Sequence, residues 1–454
     1  MTETTDIVRS TVDGPGPASN SDKCQNGATT TTAGAPDDVR EWSAEHDLVY
    51  PEGGWTAWSQ VLAGNMLNAL AWGYPATFGV YQLYYTEKLH LPSAQISWIG
   101  SIQIFLTFAI CTISGRLTDA GYARQAVLVG CTVVVFGTFM TSLCTTYWQI
   151  MLAQGICTGM GLGVLFMPSV AIIGSYFKER RSLALAISAT GTGVGSLIFP
   201  STLQYLIPQV GFPWAVRCSA FVALAVSIIA NVLLRPRLPP RRSGPFVEWG
   251  AFREAPYILF ALGVFLYFMA LYFGFFYVSL LNCVALIPGV KLVGFSTTES
   301  VSLLLITNGL GIPSRPVVGY VADRYLGPIN TFMLTTFILG CMEFVWIGVK
   351  TRNGMYIFSV FFGLSNGAAQ GVFVGALASL TADPQKMGTR FGMIATLSGF
   401  ASLAGPPTAG AIIDRSGGQY LGAQIWGGVV IIAGSLTVGA ARVAKAGKAW
   451  GAKL

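Results

Sequence analysis

From about residue 58 onward the chain runs apolar for roughly 20 residues at a time, broken by short polar segments. A helix crossing lipid needs about 20 apolar residues, because each adds 1.5 Å across a hydrocarbon core about 30 Å thick. Scanning at that length predicts twelve helices. They cover Trp58 to Tyr81, Ile96 to Ser114, Gln125 to Cys144, Ile150 to Ser175, Ser182 to Leu206 and Trp214 to Leu234, then Tyr257 to Val284, Ser300 to Tyr320, Ile329 to Val349, Met355 to Leu380, Phe391 to Ile413 and Gly422 to Ala441. The fold class expected is an all-α integral membrane protein whose first partner is the bilayer.

Composition agrees. Of 454 residues, 53% are hydrophobic and 10% charged, where a soluble chain carries about 25% charged residues. The net charge of +7 does not imply nucleic acid, because the basic residues collect in alternate loops: Arg116 and Arg124; Lys178, Arg180 and Arg181; Arg235 to Arg253; Arg324; Lys386 and Arg390; Arg442 to Lys453. Positive loops stay in the cytosol, so both termini are expected there. Residues 1–54 are rich in Ser, Thr, Gly and Pro, which predicts a disordered cytoplasmic tail rather than a cleaved signal. The eight cysteines are scattered without a CxxC, so no metal, cofactor or disulfide framework is indicated. A nucleotide-binding phosphate loop is missing too, which removes an ATP-driven pump.

The pattern reads as two halves. Gly115-Arg116-Leu117-Thr118-Asp119-Ala120-Gly121-Tyr122-Ala123-Arg124 follows the second span, and Gly319-Tyr320-Val321-Ala322-Asp323-Arg324 follows the eighth, at the same place in each six-span unit. The Pro- and Arg-rich stretch 235–256 separates the units, giving expected bundles at 55–234 and 257–441 and a short tail at 442–454. In the loop motif, Gly115 and Gly319 let helices approach closely. Asp119 and Asp323 accept hydrogen bonds from a neighbouring helix N-terminus and from arginines such as Arg124 and Arg324. Such a cluster would gate the inner side. Six-span halves carrying this motif resemble the major facilitator superfamily, and the resemblance covers nearly everything after residue 51.

Three stretches are more specific. Glu52-Gly53-Gly54-Trp55-Thr56-Ala57-Trp58, Tyr176 to Ala184 and Ser314-Arg315-Pro316-Val317-Val318-Gly319 resemble segments of the monocarboxylate porter family, and Gly-Arg-Leu-x-Asp-Ala-Gly-Tyr is similar to its fungal members. The resemblance implies alternating-access transport of small organic anions, with a proton as a possible co-substrate. It also implies a lysine after the span-one proline and an aspartate one turn before the arginine. Here Ala76 follows Pro75, and Gly311 stands at the second position, so lactate-type symport is in doubt.

Arg315 itself is expensive. An arginine at the centre of a lipid-spanning helix costs about 2.5 to 3.5 kcal/mol on insertion scales, so it must face protein or water. It lies eight residues before Asp323, about 12 Å deeper in the helix. It is expected to anchor an anion through its planar fork, or else to form a structural salt bridge to another span. Asn68, Tyr74, Asn308, Asn366 and Gln370 are polar groups inside spans, and Tyr272 and Tyr277 fit an aromatic wall. All are candidate solute contacts, or else glue between helices. Neither His46 nor His90 falls inside a span, which leaves Glu343 as the carboxylate available for proton coupling. The expected function is secondary transport of small organic anions at the plasma membrane. Efflux of a fungal secondary metabolite, uptake of a vitamin-like solute and a non-transporting solute sensor stay open. An enzyme is not expected, since no catalytic pair sits at matching depth.

Overall fold

The computed structural model describes residues 50–89, 93–237, 247–283, 297–381, 386–417 and 419–447, all in one compact unit that begins at Tyr50. His46, His90 and the side chain of Tyr277 lie outside the described residues.

Twelve long helical runs, a short 3-10 turn at Ala251–Arg253 and no strand occur among the described residues. Helix α1 is composite: Gly54–Asn68, a π turn at Ala69–Gly73, a 3-10 turn at Tyr74–Thr77 and Phe78–Leu89. The break falls where Pro75 removes a backbone donor. Helix α2 joins Ser93–Ala109, Cys111–Leu117 and a π turn Thr118–Tyr122. Gly121 then takes φ 89° and turns the chain into α3, Ala123–Thr141, a conformation glycine adopts without a Cβ penalty. Helix α4 runs Tyr147–Ile150, Met151–Thr158 and Gly159–Tyr176, followed by α5 Arg181–Val210 and α6 Phe212–Leu233. The remainder are α7 Ala255–Cys283, α8 Thr297–Val321 with its π turn Ala322–Leu326, α9 Pro328–Ile347, α10 Arg352–Leu380, α11 Met387–Arg415 and α12 Leu421–Ala446.

Eight stretches among the described residues are long and apolar enough to cross a membrane. The outer faces match that chemistry. Helix α3 exposes Leu128 and Phe136, α6 exposes Phe221 and Ile228, α9 exposes Phe337 and Val345, and α12 exposes Val429 and Leu436. Contiguous exposed apolar surface of this kind suits lipid and not water.

Small residues let the inner helices touch backbone to backbone. A Cβ at Gly191 on α5 would stand 1.9 Å from the Asn65 carbonyl oxygen of α1, and one at Gly405 on α11 would stand 1.9 Å from that of Met269 on α7. The two sets of helices, α1 to α6 and α7 to α12, meet along α5 against α8 and α10, and along α2 and α4 against α11. Residues 247–254 are held to α11 by Arg390, which contacts Glu248 at 3.1 Å and Glu254 at 2.7 Å.

Candidate functional site

Both loop motifs act on a helix start of the opposite set. The Asp119 carboxylate accepts from the backbone N–H of Gly388 at 3.1 Å and of Thr389 at 2.8 Å, and from the Thr389 hydroxyl at 2.6 Å. The Asp323 carboxylate accepts from the backbone N–H of Ser182 at 3.1 Å and of Leu183 at 2.7 Å. These N–H groups belong to the first turns of α11 and α5, where they have no partner within the helix and the helix dipole favours a negative charge. Burial raises the Asp323 carboxyl above the ordinary carboxylate range, while the Leu183 and Ser182 bonds act in the opposite direction.

The motif glycines fit the expected close approach. A Cβ at Gly115 would fall 2.1 Å from the Gly388 carbonyl oxygen, and one at Gly319 would fall 2.6 Å from the Ala186 Cβ. Arg124 and Arg324 are exposed. The hydrogen bonds given above for Asp119 come from the start of α11. A third carboxylate, Glu52, accepts from the backbone N–H of Lys178 at 2.5 Å and of Glu179 at 2.8 Å. The stretch Glu52 to Trp58 is thereby tied to the stretch Tyr176 to Ala184, so two of the motifs read separately in the sequence are one structural unit.

Arg315 is 2% exposed on α8. Its Nη2 donates to the Gln370 Oε1 at 3.0 Å, and the Gln370 Nε2 donates to the Asn366 Oδ1 at 3.1 Å. Its Nε and Nη1 are buried with no partner. No carboxylate pairs with the guanidinium among the described residues, which leaves the salt-bridge alternative without an acid. Glycines make the space: a Cβ at Gly371 would stand 2.9 Å from the Arg315 Cβ, and one at Gly193 would stand 3.0 Å from its Nη1 and 3.2 Å from the Asn308 carbonyl oxygen. Arg315, Gln370, Asn366 and the Asn308 backbone thus meet where α8 crosses α5 and α10.

The other candidates part company with this cluster. Asn68 donates to the Gly64 carbonyl and the Ser188 hydroxyl, both at 2.9 Å, which makes it glue between α1 and α5. Tyr74 is 1% exposed; its hydroxyl meets those of Tyr81 at 3.3 Å and Thr138 at 3.1 Å, inside the first set of helices. Tyr272 is partly buried one turn beyond Phe268 on α7. Glu343 is 1% exposed, with its Oε2 unpartnered, and its carboxyl carbon lies near Gly427 of α12. That environment lies among α9, α12 and Phe273 of α7. Sequence reading missed Tyr267. It is 1% exposed, its hydroxyl has no partner, and its ring packs edge-on against Phe268 with centroids 5.1 Å apart.

The model of the Major Facilitator Superfamily matches residues 61–406. The chain belongs to that superfamily. A "MFS-type transporter" of Gibberella zeae is 39% identical over 87% of this chain and 88% of its own length. The "Aspyridones efflux protein apdF" of Emericella nidulans is 34% identical over 91% of this chain and 85% of its own length. The crystal structure of the human organic anion transporter MFSD10 superposes with a TM-score of 0.65 at 14% identity, over 84% of this chain and 99% of that one. The fold is therefore the helical major facilitator fold, and the protein is a multi-pass membrane transporter of the secondary type.

Proposed function

We propose that this chain is a secondary active exporter of organic anions, that its solute is a secondary metabolite, and that Arg315 is the anion anchor. The observation that carries the reading is a fully buried guanidinium with two nitrogens left without partners. An unpaired buried charge is costly, so a solute supplying a carboxylate or an enolate would complete the site with two charge-assisted hydrogen bonds. Export follows the name of a relative 34% identical to this chain, the aspyridones efflux protein. A small monocarboxylate would satisfy the same anchor, and the Glu52, Tyr176 and Arg315 segments support that family likeness.

In this reading residues 55–234 and 257–441 are two bundles that rock about the α5/α8 and α2/α11 crossings. The aspartate caps hold the cytosolic side shut, both termini lie in the cytosol, and the plasma membrane is the site of action. Efflux from cells overexpressing or lacking the chain, followed with a panel of anionic and neutral metabolites, tests the proposal. Retention of anionic solutes in the deficient cells is expected, and equal efflux of every solute in both would overturn it.

A further inference from the structure

Six aromatic side chains from six different helices form a closed cycle beside the Arg315 cluster. Trp72 of α1 meets Phe108 of α2 with ring centroids 4.6 Å apart, and Phe108 meets Phe268 of α7 at 5.2 Å. Phe268 meets Phe373 of α10 at 5.4 Å, and Phe373 meets Phe391 of α11 at 5.8 Å. Phe391 meets Phe166 of α4 at 6.1 Å, and Phe166 returns to Trp72 at 5.0 Å. The cycle crosses between the two sets of helices twice, at Phe108–Phe268 and at Phe166–Phe391. Five of its members are at least nine-tenths buried. Trp72 alone is incompletely covered.

The cycle and the anchor are joined along the chain. Phe373 follows Gln370, the hydrogen-bond partner of Arg315, by one turn of α10, and Phe268 packs edge-on, centroids 5.1 Å apart, against the ring of Tyr267, whose hydroxyl is unpartnered. Three groups are thus unpartnered, Arg315 Nε, Arg315 Nη1 and Tyr267 Oη, on side chains linked to the cycle through Gln370 and through the Tyr267–Phe268 ring contact. A small aliphatic acid would use the donors and leave the rings unmatched. An aromatic acid would use both, because its own ring offers the quadrupole that edge-to-face packing requires.

We propose that the solute is an aryl-bearing anion, with its acidic group on Arg315 and Tyr267 and its aromatic plane against the rim of the cycle at Trp72 and Phe268. This deepens the anchor reading and rests on it.

Calorimetric titration of the purified full chain tests it with three probes: naphthoate, its neutral analogue naphthamide, and cyclohexanecarboxylate. Naphthoate should bind at least about threefold more tightly than cyclohexanecarboxylate, within the range of one added aromatic contact. Trp72→Leu and Phe268→Leu should each erase that preference, with thermal unfolding of the variants showing that they are folded. Equal binding of the two acids by the unmodified chain, no naphthoate binding at all, or a preference that survives both variants would each overturn the proposal. The anchor reading fails separately: it falls if Arg315→Gln still binds naphthoate more tightly than naphthamide, and the ring preference is then judged on the naphthoate and cyclohexanecarboxylate pair alone.

Discussion

Thr389 holds Asp119 twice, through its backbone N–H at 2.8 Å and its hydroxyl at 2.6 Å. At the other crossing Asp323 accepts from the backbone N–H groups of Ser182 and Leu183. Hydrogen bonds to a charged acceptor contribute about 1.5 to 3 kcal/mol each, so both caps are substantial. Asp119→Asn and Asp323→Asn keep size but replace a carboxylate oxygen by an N–H₂ that confronts N–H donors. Both variants should reach the membrane and transport at least about tenfold more slowly, a factor equal to about 1.4 kcal/mol. Initial rates at matched surface expression measure this, and unchanged rates in both would mean that the caps do not govern the moving states.

Thr389→Val separates the hydroxyl from the helix end. The two backbone donors remain, and only the 2.6 Å bond is lost. The expected loss is smaller than for Asp119→Asn, a fewfold at most in rate. A valine variant as slow as Asp119→Asn would place the function of the cap in the hydroxyl rather than in the start of α11.

The glycine seams supply a stability prediction. Gly191→Ala drives a Cβ to 1.9 Å from the Asn65 carbonyl oxygen, which is backbone and cannot rotate away. Overpacking of this kind costs about 1 to 3 kcal/mol. Gly79 faces open space on α1 and is the matched control. Thermal unfolding of the detergent-solubilised protein should show a lower midpoint for Gly191→Ala than for Gly79→Ala. Equal midpoints would show that α1 and α5 separate freely.

What the sequence revealed, and what it concealed, follows from how membrane helices bury themselves. Span positions were legible because lipid demands about 20 apolar residues regardless of tertiary detail, and all twelve expected spans overlap the helices observed. Arg315 and the motif aspartates stood out because a charge among apolar residues is rare. Sidedness was not legible. Both lipid and the protein interior are apolar, so Phe136, which faces outward, and Phe166, which is buried in the aromatic cycle, look alike in sequence. For the same reason Tyr74 could not be aimed, and it turns toward Tyr81 and Thr138 rather than Arg315. Tyr267 could have been suspected as a hydroxyl inside a span, but nothing local marks its hydroxyl as unpartnered. Residues 18 to 225 positions apart in the chain meet in the cycle, and such contacts leave no trace in local periodicity.

Arg315→Lys keeps a positive charge but loses the planar fork that reaches Gln370 and a second acceptor at once. Affinity for an anionic solute should weaken by about 1 to 3 kcal/mol, the range of a charge-assisted hydrogen bond. Arg315→Ala should nearly abolish transport of anions. Gln370→Ala removes the one hydrogen-bond partner of Arg315 among the described residues without removing the charge, so its effect should be smaller than that of Arg315→Ala. Normal anion transport by Arg315→Ala would show that the solute is neutral or is held elsewhere.

The position of Glu343 decides between two routes for pH dependence. Its carboxyl sits by Gly427, one oxygen unpartnered, with neighbours on α7, α9 and α12, whereas Arg315 lies between α5, α8 and α10. A group that exchanges a proton in step with the solute must sense the solute, and no hydrogen bond or salt bridge joins Glu343 to Arg315 among the described residues. The anchor makes a different demand: it binds the ionised solute, so binding should strengthen as pH rises through the solute's own acid range and level off above it. Glu343→Gln should leave that profile and the accumulation against a pH gradient unchanged. Arg315→Gln should flatten the profile, because a neutral side chain no longer distinguishes the anion from the acid. If Glu343→Gln instead abolishes accumulation while binding persists, coupling runs through the α9 carboxylate, and the solute's own protonation is not its source.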